Sequence, residues 1–363
     1  MSKHKIYSSR ERVVRALYRE PVDRVPIDYL ANAGIDRRLK DYFKLAPHSD
    51  EALLQALQVD FRELNLPYIG KPLHQRKQSR RVDEQWGIVC RWVEHEHGGY
   101  WDYCDFPLQD LKHEQVESWP MPSPDDYDYK ALREQARTWK DLALYFGNPG
   151  LGDILNTTGM WCSMESVYVA LAEENEAWLR LVDRRLAIQL EQMERSLESL
   201  KGRIDFIWMG EDLGTQIGPL ISKEMFRRVI RPRHQKFIDL ATVYNVPVMM
   251  HSCGSSSWAF DDFIEMGIIA VDTLQPEAIL MKPAYLKAKY GDKLAFHGGF
   301  STAGSVVSGT EEAVLKELET LLDVMMEGGG YLFSPTHLLQ DNSSLENVLA
   351  VYQALPKVGR YKN

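Results

Sequence analysis

The sequence predicts an α/β fold closed as a (β/α)₈ TIM barrel. Three observations carry that reading: eight short apolar runs of strand character, amphipathic helical stretches between most of them, and polar residues directly after each run. Buried strands that alternate with helices require parallel pairing and right-handed crossovers, which at 363 residues closes most simply into one barrel domain spanning 1–363. An open doubly wound sheet is the other topology the pattern permits.

A basic helical start, Ser9 to Tyr18, leads into Asp23-Arg24-Val25-Pro26-Ile27-Asp28-Tyr29-Leu30, a short buried strand entered through a proline. The remaining runs are Phe61 to Leu66, Leu142 to Phe146, Ile204 to Met209, Val246 to Met250, Ile268 to Asp272, Leu294 to Phe296 and Tyr331 to Phe333. Helical periodicity is clearest at Glu174 to Leu200, Lys223 to Tyr244, Trp258 to Met266, Thr310 to Glu327 and Leu345 to Leu355. Ser222 and Thr310 stand at N-cap positions, and Gly328-Gly329-Gly330 follows a helix where a left-handed cap is wanted. One region breaks the alternation. The period-two pattern between Gly70 and Asp105 reads as a β-hairpin excursion after the second strand, and Pro107 to Pro124 as a connecting arm, so 70–124 is an insertion in the barrel.

Composition sets the class of partner. With 44% hydrophobic and 26% charged residues the chain is globular, and a net charge of -9 leaves no basic footprint for nucleic acid. No apolar run reaches the length of a membrane span, and Met1 to Lys5 lead into charged helix and not into an apolar signal core. Cys90, Cys104, Cys162 and Cys253 are too few for a disulfide framework in so long a chain, which fits a reducing, cytoplasmic setting.

In a parallel barrel the working face lies at the carboxyl ends of the strands, so the residues after each run are the candidates for chemistry. They include Asn32, Asn148, Glu211, Asp212, His251, Cys253, Gln275, His297 and His337. His251 and Cys253 are separated by one residue, so on a continuing strand they face the same side and can share an ion. Imidazole plus thiolate suits Zn²⁺, which needs a third protein ligand from a neighbouring exit. His337 is the first candidate and His297 the reserve. Glu211 and Asp212, one exit away, read as acid or base, as a further ligand, or as a loop cap, a role that Gly210 and Gly214 on either side weaken.

Taken together, Asp23-Arg24-Val25-Pro26, Gly210-Glu211-Asp212-Leu213-Gly214-Thr215-Gln216, His251-Ser252-Cys253-Gly254, His297-Gly298-Gly299 and His337 followed by Glu346-Asn347 resemble the uroporphyrinogen decarboxylase superfamily. Within it the sequence is most similar to the cobamide-dependent methyltransferases, zinc enzymes on a (β/α)₈ barrel. The decarboxylase branch carries an Arg-Gln-Ala-Gly-Arg block after its first strand. Here the matching stretch is Ala31-Asn32-Ala33-Gly34-Ile35, without the bidentate donors that a poly-carboxylate substrate requires. The methyltransferase branch supplies a second cysteine near the last strand, and this chain has none after Cys253, so the implied zinc set is His251, Cys253 and His337. One thiolate cancels half the charge of Zn²⁺, which strengthens its hold on a thiolate acceptor and argues for a different acceptor.

The resemblance implies a zinc-dependent methyltransferase that moves a methyl group between a corrinoid (cobalamin) cofactor and a small substrate. Asp212 and Glu211 would serve catalysis, and Asn32, Asn148, Gln216, Gln275 and His297 would line the substrate wall. Because no Asp-x-His-x-x-Gly cobalamin signature occurs in the chain, the corrinoid would arrive on a partner protein. A metal-independent decarboxylase or lyase of a small acid is the rival reading, and a barrel kept only for binding or regulation a third.

Overall fold

The computed structural model describes residues 6–96 and 98–361. Residues 1–5, read above as leading into charged helix, lie outside them. Seven strands form one parallel sheet: β1 (Phe61–Leu64), β5 (Ala143–Phe146), β6 (Phe206–Gly210), β7 (Val248–His251), β8 (Ala270–Thr273), β9 (Ala295–Phe300) and β10 (Tyr331–Pro335), neighbours in that order. Between β1 and β5 the chain inserts a separate antiparallel sheet of β2 (Arg81–Val82), β3 (Val89–His95) and β4 (Gly98–Tyr103), the expected excursion.

The expected first strand closes the curled sheet between β10 and β1, but as single bridges. The Asp28 amide donates to the Phe333 carbonyl at 2.8 Å, Phe333 to Pro26 at 2.9 Å, and Asp60 to Ile27 at 2.9 Å. A longer ladder is blocked chemically. Pro26 has no N–H, and the Ile27 amide goes to the Asp60 carboxylate at 2.9 Å. That carboxylate also takes Arg12 and Arg24, each at 2.7 Å, while Arg12 holds Asp23. The Asp-Arg-Val-Pro motif therefore organises the amino-terminal face of the barrel, the face that serves stability and not chemistry in parallel barrels.

Strands β5, β6, β9 and β10 are buried on both faces, as parallel strands under a helical layer must be. Ser222 and Thr310 cap their helices by accepting from Met225 and Ala313. The helix after Ser222 passes through a π turn at Phe226–Ile230 before continuing as Arg231–Val243, because Pro232 cannot donate within a regular ladder. The connecting arm is less extended than its prolines suggest, since it contains the helix His113–Ser118. The stretch between β5 and the long helix Glu176–Leu200, which shows no clear helical period, folds as Leu155–Cys162 and Met164–Glu173. No helix among the described residues is long and apolar enough to cross a membrane.

Candidate metal centre

Parallel register sets the site. Gly210 lies beside His251, His251 beside Asp272 and Asp272 beside His297, so four successive strands present one residue each at the same level of the barrel mouth. Gly210 is required for a close approach: a Cβ there would lie 2.4 Å from the Pro149 carbonyl oxygen of the loop after β5.

His251 Nδ1 meets Asp272 Oδ2 at 2.5 Å. The other Asp272 oxygen meets His297 Nδ1 at 2.6 Å, and His297 Nε2 reaches Asp28 Oδ2 at 3.1 Å. An ionised carboxylate only accepts, so Asp272 holds a proton on His251 Nδ1, and once the ring gives up its other proton the Nε2 lone pair faces the mouth. Burial alone would make His251 less basic, and the hydrogen bond to Asp272 outweighs it. For His297 burial works in the same direction, yet the charge of Asp272 and the hydrogen bonds to Asp272 and Asp28 lift its pKa to about 9. Burial opposes ionisation of Asp272 as well, but the two histidines hold its carboxyl below the usual range.

Beyond β7 the chain turns so that Cys253 follows His251 onto the same side. Cys253 Sγ lies 3.4 Å from His251 Nε2, and its amide donates to Asp212 Oδ1 at 2.8 Å. Asp212 Oδ1 is 3.6 Å from His251 Nε2, and Oδ2 accepts from Asn156 Nδ2 at 2.8 Å. The turn depends on Gly254, at φ +67°, where a Cβ would sit 2.3 Å from the Gly214 oxygen. Gln275 fixes the same residue by accepting its amide at 2.6 Å. One donor atom each of Asp212, His251 and Cys253 lies within 4.8 Å of the others, and among the described residues this is the group of His, Cys, Asp and Glu placed to share an ion. The chemistry of the set fits a zinc-like cation: one imidazole nitrogen of fixed tautomer, one sulfur and one carboxylate oxygen. Burial raises the Cys253 thiol pKa, and the adjoining His251 works against that rise.

The structure therefore gathers Asp212 with the His251 and Cys253 pair, while His337 falls outside the group. His337 is exposed at the rim two residues past β10, near enough to feel the charges of His251, Asp212 and Asp272. Glu211, expected beside Asp212 in catalysis, points the other way. Its buried carboxylate accepts the amides of Ile154 at 2.9 Å and Leu155 at 3.0 Å, capping the helix Leu155–Cys162, and burial pushes its pKa up to about 8. His297, expected in the substrate wall, is fully buried with both ring nitrogens occupied by carboxylates, which also removes it as a reserve ligand.

The other expected wall residues are dispersed around the mouth. Asn32 bonds Gln340 at 3.2 Å, Asn148 bonds Glu63 at 3.2 Å, Gln275 supports the loop after Cys253, and Gln216 is exposed in the turn closed by Thr215 and Gly218. Sequence reasoning missed Asp272, Asp28 and Asn156. Asp272 carried a readable signal, an acid ending an apolar run.

A parallel barrel with a His, Cys and Asp cluster at the carboxyl ends of its strands defines the class: a (β/α)₈ protein with a candidate metal centre. The uroporphyrinogen decarboxylase (URO-D) family model matches residues 165–358, more than half of the chain, and the chain belongs to that family. A methyltransferase from Methanosarcina mazei has a similar fold at TM-score 0.66 and 17% identity, over 97% of this chain and 99% of that one. Native xylanase 10B from Thermotoga maritima aligns at TM-score 0.39 and 10% identity over 69% of this chain and 84% of its own. No curated protein matches the sequence.

Proposed function

We propose that this protein is a zinc-dependent methyltransferase, exchanging a methyl group between a corrinoid cofactor on a partner protein and a small substrate at the barrel mouth. The observation that carries the reading is the Asp212, His251 and Cys253 cluster, with the His251 tautomer held by Asp272. Zinc held there would lower the pKa of a methyl acceptor or polarise a donor's leaving atom. The chain's own residues supply the rest. Asp272 orients His251, Asn156 and the Cys253 amide orient Asp212, and Gln275 with Gly254 keeps the thiol on the mouth side.

Asp212 changes the charge argument drawn from sequence. A His, Cys, His set leaves half of the zinc charge uncancelled, whereas a thiolate and a carboxylate cancel it. A thiolate acceptor beside a neutral centre is held less tightly and is the better nucleophile, so thiols return to the acceptor list. The carboxylate clamp for porphyrinogens is missing, because Ala31 and Ile35 carry no guanidinium to pair with a carboxylate.

The test is demethylation of methylcobalamin followed by visible absorbance, with thiol, folate and amine acceptors, using zinc-loaded and chelator-treated protein. The reading requires turnover that zinc restores. Folded, zinc-loaded protein that demethylates methylcobalamin with none of these acceptors would overturn it, and metal-independent loss of CO₂ from a small acid would favour the lyase.

A further inference from the structure

At the exits of β1 and β5 lies a pocket of about 340 Å³ whose lining includes Glu63, Asn65, Tyr127, Asn148 and Arg185. Two of these side chains carry opposite charge and do not meet. Arg185 extends from the helix Glu176–Leu200 and is only 6% exposed. Its Nη1 donates to the Asp153 carbonyl at 2.6 Å and its Nη2 to the Gly150 carbonyl at 2.8 Å. These bonds tie down the loop after β5 and use only part of the five-donor guanidinium. Among the described residues no carboxylate pairs with it. The acids whose charge it feels, Asp153 and Glu211, are engaged elsewhere, Asp153 with Thr157 and Glu211 with the amides of Ile154 and Leu155. A guanidinium taken out of water without a counter-anion is costly, and a ligand carboxylate would offset that cost with charge-assisted bonds.

Glu63 enters from β1, half-buried, and its carboxylate accepts one bond, from Asn148 Nδ2 at 3.2 Å. Burial, opposed by the bond from Asn148, holds its carboxyl above the usual range. A cation would relieve that penalty as an anion would relieve the one at Arg185. An anion alone leaves Glu63 unanswered, and a cation alone leaves Arg185 so.

We propose that this pocket binds a small zwitterion, its carboxylate against Arg185 and its ammonium, free or methylated, against Glu63. The inference goes beyond the methyltransfer reading and stands without it, since it concerns binding and involves neither the metal nor turnover.

The experiment is isothermal titration of the full chain with sarcosine and with alanine, alongside acetate and methylamine, which each carry one half of the zwitterion. Both zwitterions should bind at least about 10-fold more tightly than either half, the gain expected of one further charge-assisted bond. Glu63→Gln should weaken the zwitterions by at least about 10-fold while leaving acetate unchanged, and Arg185→Gln should weaken both zwitterions and acetate. Since Arg185→Gln also releases the loop at Gly150 and Asp153 and can cost the fold, Glu63→Gln is the deciding variant; its side chain gives up a single contact. Absence of binding by both zwitterions at concentrations on the order of tens of mM would overturn the proposal. So would equal affinity for acetate and sarcosine, or a Glu63→Gln protein that titrates like the wild type.

Discussion

Asp272→Asn removes the support under His251 at nearly constant volume. The carboxylate serves two buried rings, His251 Nδ1 at 2.5 Å and His297 Nδ1 at 2.6 Å. An asparagine has one acceptor oxygen, so whichever ring it keeps, the other faces an amide N–H. If His251 loses the contact, its proton is free to move to Nε2 and occupy the lone pair meant for metal. Outer groups of this kind contribute on the order of 10 to 100-fold to metal affinity. The same change leaves Asp28, at 3.1 Å, as the one carboxylate on the His297 imidazolium, and removing the Asp272 charge from that buried network costs up to about 3–5 kcal/mol.

The pH dependence gives an independent readout. His297 has its pKa raised from 6.5 to about 9, so its stabilisation is complete below pH 6.5 and is lost as pH rises through about 9. For a fully buried group that rise corresponds to about 3 kcal/mol. Metal-free wild type should therefore lose stability to guanidinium across this window, and Asp272→Asn should be less stable at pH 6.5 with a flatter decline. Competition against a chromophoric chelator gives the zinc affinity. A variant that binds zinc as tightly as wild type and unfolds with the same pH profile would refute the reasoning.

Cys253→Ala should lose zinc in elemental analysis, whereas His337→Ala, outside the cluster, should retain most of it. Asp212→Asn should weaken zinc nearly as much as Cys253→Ala in the chelator assay; full retention would return Asp212 to a supporting role. Glu211→Gln removes one of two acceptors for the helix Leu155–Cys162 and should lower stability by about 1–3 kcal/mol while keeping zinc, read by denaturant melts and metal content. Uroporphyrinogen should yield no coproporphyrinogen on chromatography, since Ala31 and Ile35 provide no clamp.

The difference between what could and could not be read from the sequence is clearest at neighbouring residues. His251 and Cys253 were legible because a spacing of two on an extended chain places both on one side whatever the partner strand does. Glu211 and Asp212 were legible as a pair, but the same alternation sends them opposite ways, one to a helix terminus and one to the mouth. That division depends on where the loop and helix after β5 fold back, which no local pattern encodes. Asp272 reaches His251 through the register of β7 on β8, a non-local fact. The seven other apolar runs formed ladders, while the run containing Pro26 closed the barrel by bridges because its donors were missing or already spent. His337 was placed by the expectation that strand exits converge; it stands exposed two residues past β10, outside the cluster yet close enough to feel the charges of His251 and Asp212.

X-ray absorption of the zinc-loaded protein tests the proposed centre most directly. Coordination by Asp212, His251 and Cys253 predicts one ion per chain, with a single sulfur at about 2.3 Å and nitrogen or oxygen neighbours at about 2.0–2.2 Å. A shell without sulfur, a shell with two sulfurs, or a single-sulfur spectrum left unchanged by Asp212→Ala would contradict it.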